Sequence, residues 1–116
     1  MLARDAFDTA LGLIERAKEE LVDAVPRARL PGRPLAEALF GFEEGLRGAA
    51  RLADRWWHPS LDARWRACND GIAEALARSE RLRVEAPELS FEELAFTVQD
   101  LLAPLEPFED AARSFP

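Results

Sequence analysis

All three tryptophans of this 116-residue chain, Trp56, Trp57 and Trp65, fall in one short stretch with its only histidine, His58. Ring faces can receive an apolar or cationic ligand, and an indole N–H can anchor a polar one. Trp56, Trp57, His58 and Trp65 are therefore the candidate ligand-binding residues. The same aromatics can instead plug the end of a helical core, and the sequence leaves both readings open. A second group is basic. Arg27, Arg29 and Arg33 occupy a connection without acids, and Arg78, Arg81 and Arg83 close a later helix. Of these, Arg27, Arg29, Arg33 and Arg81 are the candidates for binding an anion. The alternative is that they offset helix dipoles and pair with neighbouring acids.

Catalytic pairings fail on distance. His58 and Cys68 would be separated by about eight helical rises, or about 12 Å, if a helix starts near Ser60. A base and its nucleophile need to approach to about 3 Å. Cys68 reads better as an inert thiol on a buried seam. With one Cys and one His the chain lacks the ligands that metal sites recruit, and no Glu-x-x-His pair is present. Glu43 and Glu44 are adjacent rather than stacked on one helix face. Nucleophile elbow, phosphate loop and zinc spacing are all missing. No catalytic residue, metal or cofactor is expected, and the chain reads as a non-enzyme.

The elements that must position these groups are helical. The chain has 21 Ala, 17 Leu and 14 Glu against 8 Val, Ile and Thr together, which favours helix over sheet. From Ala3 to Val25, the residues Phe7, Ala10, Leu11, Ile14, Ala17, Leu21 and Val25 form one apolar stripe, and Pro26 ends that helix. Pro34 suits the first turn of a second helix. Its seam is Leu35, Leu39, Phe42, Leu46, Ala49, Ala53 and Trp56, at alternating spacings of four and three. Gly41, Gly45 and Gly48 lie beside that seam, so a neighbouring helix or a ligand is expected to approach the backbone there.

After a turn at Trp57-His58-Pro59, a third helix is expected with Ser60 as N-cap and Asp62 in its first turn. Its seam is Leu61, Trp65, Cys68, Ile72, Ala75, Ser79, Leu82 and Ala86, with Pro87 as the stop. Ser90 and Glu93 form a capping box for a fourth helix, with Leu89 and Leu94 at the staple positions. Its expected stripe is Phe91, Ala95, Val98, Leu102 and Leu105. Pro104 and Pro107 then turn the chain into a short last helix. Phe108, Ala111, Ala112 and Phe115 share one face of it, and Phe108 or Phe115 is expected to pack on the tryptophans as a lid.

These elements predict a single all-α domain spanning residues 1–116, an up-down-up-down four-helix bundle with a short C-terminal helical appendage. The net charge of −7 argues against a nucleic-acid partner. All of that excess lies in residues 85–116, which hold eight acids and only Arg113. No apolar run is long enough for a membrane span, and acids in the first twenty residues speak against a secretory leader, so a cytoplasmic protein is expected.

The turn Trp56-Trp57-His58 resembles the Trp turn of the small helical-hairpin proteins of the WXG family. The resemblance is confined to those residues. His58 and Pro59 stand where that family has Gly, and two further long helical stretches are extra. The leading expectation for function is protein contact, as a homodimer or with a larger partner. Leu13, Phe40, Leu52 and Phe96 lie off the seams and motivate it. The alternative is a small-molecule module using the tryptophan pole.

Overall fold

The computed structural model describes residues 3–27, 33–85 and 89–115, with the backbone alone at 25–27 and 33–34. It is all-helical. In chain order come α1 (Ala3–Arg27), α2 (Arg33–Arg51), α3 (Ala53–Trp56), a 3₁₀ turn (Pro59–Leu61), α4 (Asp62–Glu85), α5 (Phe91–Leu102), a second 3₁₀ turn (Ala103–Leu105) and α6 (Pro107–Ser114). No described helix is long and apolar enough to cross a membrane.

Most of the first two seams pack as their spacing requires; in the α1 stripe Leu11 is only half-buried, and the side chain of Val25 lies outside the described residues. Phe7, Ala10, Ile14, Ala17 and Leu21 of α1 are buried, as are Leu35, Leu39, Phe42, Leu46 and Ala49 of α2. Two of the three glycines beside the α2 seam explain how closely these helices lie. A Cβ on Gly45 would stand 2.9 Å from that of Ala17, and one on Gly48 would stand 3.2 Å from Leu13. Gly41 faces open space instead. These contacts, with Phe7 against Trp56, run α2 antiparallel to α1. Ser79 of α4 against Glu43 of α2, with Trp65 against Ala53 of α3, gives the same antiparallel sense, as do Arg78 against Asp100 and Gly71 against Pro104 for α4 and α5 with its continuation.

Four local details depart from the pattern. Helix α1 continues through Pro26 to Arg27, because proline's fixed φ is itself helical and costs the last turn one hydrogen bond. At Leu52 the helix tightens, its amide reaching back three residues to Ala49 at 3.1 Å, and α3 resumes at Ala53. His58 is extended (φ −152°, ψ 146°), as a residue before proline must be, and it caps the next turn in place of Ser60. Finally, the buried stripe of α5 is Leu94, Val98 and Leu101, continued by Leu105 and Phe108. Phe91 is 46% exposed, and Ala95 and Leu102 are only half-buried. The core follows the four-three spacing through the second 3₁₀ turn rather than the large aromatic at the helix start.

The capping box is present as expected. Ser90 Oγ accepts the Glu93 amide at 3.2 Å, and the Glu93 carboxylate accepts the Ser90 amide at 3.3 Å. Ala86 and Pro87, assigned above to a seam end and a stop, lie outside the described residues.

Candidate functional site

The tryptophans separate into three environments. Trp56 ends α3 and is 1% exposed. Its ring meets Phe7 edge-on at 5.0 Å between centroids, and Phe115 lies 6.2 Å away. Phe115 also stacks on Phe7 at 4.6 Å, and Phe108 stacks on the same Phe7 ring at 6.3 Å. The last helix therefore closes this end of the core, with Phe115 as the residue set against Trp56. Trp65 is half-buried, and its indole N–H donates to the Ala53 carbonyl at 2.8 Å. That bond ties the start of α4 to α3.

Trp57 and His58 face outward. Trp57 is 45% exposed and donates to Asp62 Oδ1 at 2.9 Å. His58 Nδ1 accepts the Ser60 amide at 3.1 Å and lies 2.7 Å from the Ser60 hydroxyl. The four candidate residues are thus brought to one end of the molecule, in different environments. Trp56 is occupied by the chain's own phenylalanines, while Trp57 and His58 serve the turn.

Of the candidate anion site, Arg29 lies outside the described residues, as do the side chains of Arg27 and Arg33. Arg81 is exposed and stands 3.7 Å from Glu74. Arg78 bridges helices, holding Glu74 at 2.9 Å and the Asp100 carbonyl at 2.7 Å. These side chains line an open groove between α4 and α5. Its two arginines face three acids, Glu74, Glu85 and Asp100, and both are already in ion pairs.

A group the sequence reading missed lies deeper. Glu43 of α2 is 1% exposed, and its partner Ser79 of α4 is fully buried. Ser79 Oγ donates to Glu43 Oε2 at 3.0 Å. Arg83 grips both carboxylate oxygens at 3.1 Å, and Arg47 approaches at 3.6 Å. The Arg83 guanidinium also lies over the Phe40 ring at 5.9 Å. Ser79 was the available signal: a hydroxyl on an otherwise apolar seam needs a partner when buried. Glu43 sits beside the seam residue Phe42, within reach of it.

This clamp fixes α2 against α4. Arg83→Ala is expected to cost about 3 kcal/mol, because it leaves a buried carboxylate without its main counter-charge. Ser79→Ala is expected to cost about 1 kcal/mol. Urea midpoints of the two variants check the ranking, and an Arg83→Ala midpoint equal to the native one would contradict it.

Cys68 is fully buried on α4. Burial, with a smaller contribution from the Asp110 charge, pushes its thiol from 9.0 up to about 12. The folded chain should therefore resist Ellman's reagent at pH 8 and react promptly once unfolded. The sign of the linkage follows. Between pH 9.0 and about 12 the unfolded thiol ionises while the folded one keeps its proton, so this group's contribution to stability falls as pH rises through that window. Rapid labelling of the folded protein would contradict this placement.

Among the described residues no cluster of three or more His, Cys, Asp or Glu side chains could hold a metal, and every buried side-chain nitrogen or oxygen has a partner. No family model, curated protein or solved structure matches the chain.

Proposed function

We propose that this chain is a non-enzymatic helical module that works in the cytoplasm by contact with another protein. The observation that carries the reading is how it distributes its aromatics. Phe7, Phe42, Phe108 and Trp56 fill the core, yet Phe40 and Phe96 are left 56% and 76% exposed on different helices. Exposed single apolar side chains are ordinary, but large aromatics outside a well-filled core suit a binding surface. The antiparallel pairings support reading the four longest helices as an up-down-up-down bundle with α6 as its end cap. In that arrangement the flanks of the helices, rather than the aromatic end, are available for contact.

The test is the native size of the chain in extracts of the cells that make it. The native protein should elute well above its monomer size. A double variant, Phe40→Ser with Phe96→Ser, should elute as a monomer while keeping its stability within about 1 kcal/mol, the worth of the Phe40 contact with Arg83. A native chain that elutes as a monomer both in extracts and when pure and concentrated would overturn the reading.

A further inference from the structure

Helix α5 carries two apolar stripes, and the core takes only one. Leu94, Val98 and Leu101 are buried, whereas Phe91, Ala95 and Leu102 lie together on a flank left half-covered. Helix α1 packs closely on α2 but only sparsely on α5. The result is an open groove between α1 and α5. One concavity of about 400 Å³ has Val22 and Leu102 as its apolar lining. A second, of about 470 Å³, shares Leu102 and Lys18 with it and extends the groove toward α6.

The banks of this groove are acidic. Glu15, Glu19 and Asp23 stand on the α1 side, and Glu106, Glu109 and Asp110 on the side that follows α5. Among the described side chains that line it, Lys18 and Arg113 oppose them, and both are already engaged with carboxylates of the banks. Lys18 lies 3.7 Å from Glu15, and Arg113 contacts Glu109 and Asp110.

Resting on the contact reading above, we propose that the α1–α5 groove receives an amphipathic helix with a basic face, supplied by a different protein. Its apolar side meets Val22 and Leu102, and its lysines or arginines meet the two acidic banks, the geometry of a helix laid in a groove. Charge decides against a second copy as the occupant. A symmetric pairing of this groove with itself would set carboxylates against carboxylates, a juxtaposition that is costly in an interface.

The probe is a fluorescein-labelled synthetic helix of leucine and lysine at helical periodicity, titrated into the full chain at low salt. A shuffled peptide of the same composition serves as the comparison. The periodic peptide should bind in the micromolar range, at least about tenfold tighter than the shuffled one. The exposed pair Glu19→Lys with Glu106→Lys should weaken it at least about tenfold with helicity unchanged. Equal binding of the two peptides, or unchanged binding by the variant, would overturn the proposal. So would a dimer of the pure chain that the same variant dissolves, because the occupant would then be a second copy. Failure of the peptide while the native chain still elutes as a large species in extracts would sink the groove alone. Periodicity-dependent binding by a chain that is monomeric both in extracts and when pure and concentrated would sink the contact reading alone.

Discussion

Deleting residues 107–116 is expected to lower the melting temperature by roughly 10 °C or more and to shift tryptophan emission to the red. The segment brings Phe108, which is 2% exposed, and the fully buried Ala111 into the core. It also brings Phe115 onto Phe7 and toward Trp56. Burying two phenylalanine side chains contributes about 3–6 kcal/mol before the ordering entropy of the segment is subtracted. Trp57 already faces solvent, so the emission shift would report chiefly on Trp56, which loses its Phe115 neighbour. The single variant Phe108→Ala should reproduce most of the destabilisation, about 3 kcal/mol, through the cavity it leaves. A truncated chain with unchanged melting and unchanged emission would mean that α6 does not close this end.

The second large effect is expected at Gly71, on α4. A Cβ there would collide with the Pro104 carbonyl in the second 3₁₀ turn. The obstacle is backbone, so no side-chain rotation relieves it, and the turn that delivers α6 to the aromatic end would have to move. Gly71→Ala should therefore destabilise by about 3 kcal/mol. Gly41→Ala makes the contrast. That glycine is helical and meets nothing within 4 Å, so alanine there should stabilise by about 0.5–1 kcal/mol. Opposite signs for two identical substitutions would be read directly from the two melting curves. Equal effects would contradict the close approach of α4 to the Pro104 turn.

The helical class was legible because periodicity carried it. The seams of α2 and α4 alternate four and three over most of their lengths, and a pattern that long has one physical reading. The capping box was equally legible, being a local exchange of two hydrogen bonds. The α5 stripe was misread by one flank because Phe91 outweighed Leu94. Size is a weaker guide to burial than continuity, and the true seam continues into Leu105 and Phe108 across Pro104. Glu43 lies off the apolar seam of α2, so periodicity does not mark it, although the buried hydroxyl of Ser79 on the facing helix called for a partner. Gly71 carried no signal at all, since its reason is a carbonyl some thirty residues along the chain.

The aromatic end illustrates the limit for function. Grouping in sequence placed Trp56, Trp57, His58 and Trp65 near one another, but it did not say which way each would face. Their directions follow from the extended residue before Pro59 and from the tail that returns to Phe7. With Phe115 set against Trp56, the proposed contact surface stays on the helix flanks, where Phe40 and Phe96 stand exposed.

The most direct test of that conclusion is photo-crosslinking in the cells that make the protein, with benzoylphenylalanine placed in turn at Phe40, at Phe96 and at Trp57. Discrete protein adducts from position 40 or 96, stronger than any from position 57, are the predicted result. A chain that remains uncrosslinked from all three positions, or forms adducts only from position 57, would contradict it.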